Sequence, residues 1–259
     1  MLNKAFFVVG TDTGIGKTLV SGGLVRSFLD LGYQSAGMKP VASGVVPVGY
    51  YAGQTEAFWE DIVFLDCADR HALCLEERSV YRFKLAASPH FAAAAEGVEV
   101  SLTHLEDRVR ERMSACERLV VEGVGGLRVP LNTLGDDLRD FVCAMKLPVL
   151  LVVGLRLGCI NHALLTMESL KAKNIPVYAW VANAGTDPSY APVEGTVHTL
   201  EKLMGVSCSA IIPPLTLKGG DVFLPASSKR TFGSYCAENE EKIASMSILL
   251  RDLAKDLLA

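Results

Sequence analysis

The stretch that most constrains this chain is Gly10-Thr11-Asp12-Thr13-Gly14-Ile15-Gly16-Lys17-Thr18, which follows the apolar run Ala5 to Val9. It opens a segment, Lys17 to Leu31, whose Leu19, Val20, Leu24, Val25, Phe28 and Leu29 recur at helical spacing. A strand, a glycine loop and a helix in that order turn successive backbone N–H groups, and the positive end of the helix, toward one anion. A lysine at the helix start reaches terminal phosphates, and the threonine after it offers a hydroxyl to Mg²⁺. The residues expected around the phosphates are Thr13, Gly14, Ile15, Gly16, Lys17, Thr18 and Leu19. Counted from Gly10, five residues precede Gly16-Lys17-Thr18, one more than the common phosphate-loop spacing. The strand-loop-helix context therefore outweighs the alternative, a glycine-rich turn with an incidental Lys-Thr.

The same alternation continues. Apolar strands read at 118–123, 148–154, 177–183 and 208–212, separated by amphipathic stretches near 101–117, 136–146, 160–173 and 189–204. Continuous apolar strands alternating with helices predict an α/β fold, a mostly parallel sheet with helices on both faces. At 259 residues, half of them apolar, one domain spanning 1–259 is expected. Glu238 to Leu258 places Ile243, Met246, Leu249, Leu250, Leu253, Leu257 and Leu258 on one side of a helix, to pack on the domain or on a second copy. Val45 to Gly53 and Leu215 to Tyr235 read as loops.

The charge pattern narrows the partners. With a net charge of −4 and scattered basic residues, the chain lacks the basic cluster that would track a nucleic acid or an anionic membrane. Its longest apolar run, Pro148 to Gly154, is too short to span a bilayer, and Met1 to Lys4 lacks the layout of a signal peptide. Seven cysteines without a C-x-x-C pair read as reduced thiols, most of them core residues. A soluble cytoplasmic protein whose partners are small molecules or protein is the expectation.

Two further positions carry chemistry. Lys39, in Gly37-Met38-Lys39-Pro40-Val41-Ala42-Ser43-Gly44, follows the expected second strand, where carboxyl ends of a parallel sheet open onto a ligand crevice. A lysine there can stabilise a transferring phosphoryl group; alone, it would more commonly be a solvated surface lysine. Glu122 ends the apolar strand Leu119-Val120-Val121 and is followed by glycines, which suits Mg²⁺ and its preference for carboxylate oxygens; a loop or capping role is the alternative. Glu60, Asp61 and Asp66 are additional carboxylates on a stretch that otherwise reads as the wet face of a helix.

Six ordered blocks now resemble the dethiobiotin synthetase family: Gly10 to Thr18, Lys39 to Gly44, Ser88-Pro89-His90, Glu122 to Gly126, Gly158-Cys159-Ile160-Asn161-His162 and Trp180-Val181-Ala182-Asn183. The resemblance covers roughly residues 4 to 185 and fades beyond about 213. It implies a homodimer, with a substrate site shared across the interface, that joins CO₂ or bicarbonate to 7,8-diaminononanoate. The carbamate would then be phosphorylated by ATP with Mg²⁺, and a cyclic urea closed as phosphate leaves.

Position by position, the resemblance gives Lys17 the nucleotide phosphates, with Glu122 and Gly125 also on the nucleotide, and gives Mg²⁺ to Thr18, Asp61 and Glu122. Lys39 would stabilise the carbamate and the moving phosphoryl group, with Ser43 nearby. Asn183 would meet the adenine, while Leu157 and Asn161 would serve the diamino acid at a helix start reaching across the dimer. The plain alternative for Asn161 is a helix cap, and Ser88-Pro89-His90 reads as capping chemistry with a structural histidine.

Departures mark where the resemblance is silent. Val124 stands where a small alanine is usual, which narrows that turn and removes no ligand. Val45 to Trp59 matches poorly, leaving Glu60 as a rival to Asp61 at the metal. Leu215-Thr216-Leu217-Lys218 does not match the segment that normally completes the base pocket, leaving base preference open. Two other classes share the phosphate loop. A cobyrinate-type amide synthetase would need an added glutaminase domain, and a partitioning-type regulatory ATPase would carry an early loop lysine where Thr11-Asp12-Thr13 stands. A third possibility is a relative that keeps the fold without catalysis, although the lysines, threonine and glutamate are all present.

Overall fold

Five consecutive apolar residues make Ala5–Gly10 a strand, β1, that alternates its side chains between two cores. Phe6 and Val8 enter one, Phe7 and Val9 the other, and all four are buried. Each such side chain contributes on the order of 1.5–3 kcal/mol relative to exposure. The computed structural model describes residues 4–47, 57–215 and 232–258.

From β1 the chain passes through α1 (Lys17–Asp30), β2 (Ser35–Met38), β3 (Val41–Ser43), β4 (Val46–Pro47), β5 (Ala57–Phe58), α2 (Glu60–Ala68) and α3 (Leu75–Arg78). Next come β6 (Tyr81–Phe83), α4 (Pro89–Ala95), α5 (Leu102–Ala115), β7 (Arg118–Glu122), α6 (Leu138–Met145) and β8 (Val149–Gly154). The last elements are α7 (Cys159–Lys171), β9 (Val177–Asn183), α8 (Val193–Met204), β10 (Cys208–Ile212) and α9 (Phe232–Asp256).

Six strands form one sheet in the order β10-β9-β8-β1-β7-β2, with each neighbouring pair parallel. The α/β expectation therefore holds, with helices on both faces. Helices α1, α2 and α9 cover the Phe6 side through Leu24, Val25, Phe28, Phe64, Met246 and Leu250. Helices α4 to α8 cover the Phe7 side through residues such as Ala92, Leu105, Phe141, Met167 and Leu200. The tight fit against α1 depends on Gly22 and Gly23, where an added Cβ would come within 2.5 Å of Phe64 and 2.7 Å of Met246.

Two loop expectations are corrected. Val46–Pro47 pairs antiparallel with Ala57–Phe58, so part of the Val45 to Gly53 stretch is strand; residues 48–53 lie outside the described residues. Helix α9 begins at Phe232, inside the stretch read as a loop, and the Thr216 to Lys218 positions lie outside the described residues. Ile243, Met246, Leu250 and Leu253 of the apolar stripe pack on the domain, whereas Leu249, expected with them, is exposed beside Ile248. Among the described residues no helix is long and apolar enough to cross a membrane.

The register gathers strand ends along one edge. Val8 lies beside Glu122, Met38 beside Val121, Gly10 beside Val152 and Gly154 beside Asn183. At β1 the chain's successive strands turn to opposite sides of the sheet, the position at which open α/β sheets bind ligands.

Candidate active site

The phosphate loop leaves β1 and enters α1 through Gly16, which caps the helix in the left-handed region at φ 93°. Gly14, at φ 72°, adopts the same hand. No side chain caps α1, so its first N–H groups face the crevice as a ready anion site. A Cβ on Gly16 would overlap Asn183 Nδ2, so the loop backbone is held against the end of β9.

Lys17 is buried, and its Nζ donates to the Asp12 carbonyl at 2.8 Å. Burial, aided by repulsion from Lys39, lowers its pKa to about 8 even though Glu122, Asp61 and Asp12 pull the other way. The solvated-surface reading of Lys39 fails, because this residue is 2% exposed. Its ammonium lies 2.6 Å from Asp61 Oδ2, 2.7 Å from Glu122 Oε1 and 3.0 Å from the Gly123 carbonyl. Burial works against its charge, but the two carboxylates more than offset that, and its pKa is raised above the ordinary lysine value.

Thr18 Oγ1 stands 2.8 Å from Asp61 Oδ1 and 2.7 Å from Glu122 Oε1. A hydroxyl has one hydrogen and can donate to only one of these carboxylates at a time. Glu122 Oε2 is buried with no hydrogen-bond partner. Burial pushes the Glu122 carboxyl above the usual range, with Asp61 adding to the rise and Lys39 opposing it. Burial also pushes Asp61 upward, yet the Lys39 ammonium and the bonds from Lys39 and Thr18 bring it below the usual range. Three converging oxygens, one of them on a carboxylate with an unused atom, fit a hard divalent cation such as Mg²⁺.

Against this geometry, a family model described as AAA domain matches residues 4–219. The chain belongs to this AAA domain family. That family includes dethiobiotin synthetase. The fold is shared with proteins of known structure at low identity. The MinC:MinD cell division complex of Aquifex aeolicus aligns with a TM-score of 0.56 and 12% identity, over 98% of this chain and 95% of that one. The ParA family ATPase of Chlorobium tepidum TLS aligns at 0.55 and 14%, over 98% and 99%. The Aquifex aeolicus MinD protein aligns at 0.55 and 12%, over 98% and 96%. At these identities the likenesses concern the fold alone.

In this AAA domain the remaining candidates fall at different distances from the Lys39 cluster along the chain. Gly125 (φ 60°) packs beside the phosphate loop, a Cβ there lying 3.6 Å from Thr13 Oγ1. Asn183 is buried; its Nδ2 donates to the Ile15 carbonyl at 2.9 Å and its Oδ1 accepts from the Gly185 N–H at 2.9 Å. It braces the back of the phosphate loop. Ile15 is buried, whereas Leu19 is half-buried along α1. Ser43 ends β3, which pairs with β6.

Leu157 is 92% exposed, and Asn161 is exposed on the first turns of α7. Gly158, not Asn161, caps that helix, at φ 91°. The turn leading to it is tied to the phosphate loop by an Arg156–Asp12 ion pair. Ser88 occupies the cap position of α4, but its hydroxyl meets His90 Nδ1 at 3.1 Å instead of a backbone N–H, and His90 lies against Phe91. Asp66 is turned away from the cluster, onto Arg78 at 2.8 Å and His71 at 2.5 Å. Sequence reading passed over Arg156 and Arg78. Arg156 adjoins Leu157 and Arg78 ends a short helix, and single arginines in such places are too common on surfaces to stand out.

Proposed function

We propose that the chain is an ATP- and Mg²⁺-dependent dethiobiotin synthetase. The observation that carries this is the buried Lys39 held by Asp61, Glu122 and the Gly123 carbonyl, beside Thr18 of the phosphate loop. A nucleotide switch needs the loop and a metal. A fixed second ammonium at the same edge suits a reaction in which an anionic acceptor takes the phosphoryl group.

In this reading one amine of 7,8-diaminononanoate adds to the carbon of CO₂ and loses a proton, giving a carbamate. A carbamate oxygen attacks the γ-phosphorus of ATP, and the bond to ADP breaks. The second amine attacks the carbamate carbon, a urea C–N bond forms, a proton is lost, and phosphate leaves with the C–O electron pair. Lys17 and the N–H groups at the start of α1 hold the nucleotide phosphates, and Lys39 is placed between carbamate and phosphoryl group. Thr18, Asp61 and Glu122 would hold Mg²⁺, whose charge offsets the negative charge of the nucleotide phosphates.

Asn183 would reach the base from the back of the loop. The start of α7, with Leu157 and Asn161, would take the carboxylate of the diamino acid across a homodimer interface, with Ser43 lining the same site. A cytoplasmic location belongs to the same reading, in keeping with its small-molecule substrates.

The test is to supply isotopically labelled bicarbonate with Mg·ATP and the diamine, and to follow the label by mass spectrometry. The label should enter a cyclic urea. Label that stays in bicarbonate while ATP is hydrolysed would favour the regulatory ATPase alternative.

A further inference from the structure

Among the described residues, strand β2 ends the central sheet, with β7 on one side and no strand of the sheet on the other. Ala36 and Met38 turn their backbone groups toward β7, so Gly37 and Lys39 turn theirs outward, where a sheet edge ordinarily has water. Here side chains stand in for the missing strand. The Gly37 N–H donates to Asp69 Oδ2 at 3.1 Å, and its carbonyl accepts from Arg78 Nη1 at 2.8 Å. The Lys39 N–H donates to the Arg78 carbonyl at 2.8 Å.

Arg78 and Asp69 are both buried and form a two-pronged pair, 2.6 Å and 3.0 Å. The other Arg78 nitrogen also reaches Asp66 at 2.8 Å and the Leu73 carbonyl at 3.1 Å. Asp66 lies on α2, the helix whose first turn carries Asp61, and Asp69 immediately follows that helix. Gly37 lets α2 sit directly on β2, since a Cβ there would lie 2.9 Å from Leu65. One buried guanidinium thus joins the strand that delivers Lys39 to the helix that delivers its partner Asp61.

We infer that Arg78, with Asp69, is a positioning residue for the Lys39–Asp61 pair, setting the reach of the Lys39 ammonium from a site that touches no reactant. The kinetic part of this inference rests on the proposed phosphoryl-transfer reading; the geometric part does not.

The test compares Arg78→Lys and Asp69→Asn with Arg26→Lys. Lysine cannot reproduce a planar fork that bonds a carboxylate and a carbonyl together. Arg26 is a suitable control because it is also buried and grips the same end of α2, its hydrogen bonds going to the Ala68 and Cys67 carbonyls and to Glu240 of α9. Three readouts are taken on the full chain: Mg·ATP affinity by calorimetry, acetylation rate of Lys39 by peptide mass spectrometry, and diamine-dependent turnover, each beside a melting curve.

The Arg78 and Asp69 variants should keep nucleotide affinity within about threefold, acetylate Lys39 several-fold faster than wild type, and lose about 100-fold in kcat, as misplacement of a catalytic group by roughly 1 Å does. Arg26→Lys should melt earlier with Lys39 labelling and kcat near wild type. Unchanged Lys39 labelling in the Arg78 and Asp69 variants would overturn the inference, and so would an equal loss of kcat in Arg26→Lys. Should Arg78→Lys fail to fold, Asp69→Asn supplies the comparison, since it retains Arg78. Labelling and nucleotide affinity assume no acceptor, so a chain inactive with the diamine would sink the functional proposal and leave this one standing or falling on Lys39 itself.

Discussion

Replacing Lys39 with alanine separates what this lysine does for the fold from what it does for chemistry. The ammonium sits between two carboxylates, 2.6 Å and 2.7 Å away, and a carbonyl at 3.0 Å. Breaking a buried ion pair by removing one partner costs about 3–5 kcal/mol. The lower end applies here, because the Asp61 side chain is 43% exposed and water can rehydrate it. A loss of about 3 kcal/mol corresponds to a fall of about 6–12 °C in Tm for a chain of this size.

The sign of the pH dependence follows from the same geometry. Glu122 already has a raised pKa, and losing Lys39 removes an interaction that lowers it. A carboxyl whose folded pKa exceeds its unfolded value destabilises the fold above the folded pKa and ceases to do so below the unfolded one. The Tm deficit of Lys39→Ala should therefore be largest at neutral pH and shrink as pH falls toward the ordinary carboxylate range. Its Mg²⁺ affinity should rise, because a competing cation has gone. Turnover should drop by about 10²–10³, the effect of deleting one fixed electrostatic donor, while Mg·ATP affinity moves by no more than about threefold. Differential scanning calorimetry, magnesium titration and steady-state phosphate release measure the three. Parallel losses of ATP affinity and rate would make Lys39 a phosphate anchor and refute this reasoning.

Other consequences are equally specific. Glu122→Gln should raise the Mg²⁺ concentration needed for half-maximal nucleotide binding by about tenfold or more, and an unchanged requirement would remove Glu122 from the metal site. Because Lys17 has its pKa lowered to about 8, ATP affinity should weaken, with proton uptake on binding, as pH rises above that value; a flat profile by calorimetry in buffers of different ionisation heat would contradict it. Gly16→Ala forces a side chain into φ 93° and onto Asn183, so ATP binding should be lost in a chain that still folds, checked by calorimetry and circular dichroism. Gly23→Ala drives a Cβ to within 2.7 Å of Met246 and should cost about 1–3 kcal/mol of stability with nucleotide affinity unchanged, read from denaturant unfolding.

The central sheet was legible because its strands are buried on both faces and so read as unbroken apolar runs, as in Val149–Gly154. The phosphate loop was legible because its chemistry is contiguous. Less visible were β3, β4, β5 and β6, each of two or three residues, too short for any period to register. The Lys39 cluster was readable only in pieces. Lys39, Asp61 and Glu122 could each be named, but their union depends on β2, α2 and β7 meeting at one edge. Asp66 illustrates the reverse: by residue type alone it was a further candidate carboxylate on the same stretch as Asp61. Five residues along α2 turn it onto Arg78 instead. Asp69 and Arg78 went unnoticed because isolated charges beside a helix ordinarily face water, and only the open edge of β2 gives them buried partners.

The most direct test of the account is phosphate release from Mg·ATP in bicarbonate buffer, with and without 7,8-diaminononanoate, alongside mass detection of the product. The account predicts release that depends on the diamine, with one cyclic urea formed for each phosphate. Phosphate release indifferent to the diamine, or none at all with the nucleotide bound, would contradict it.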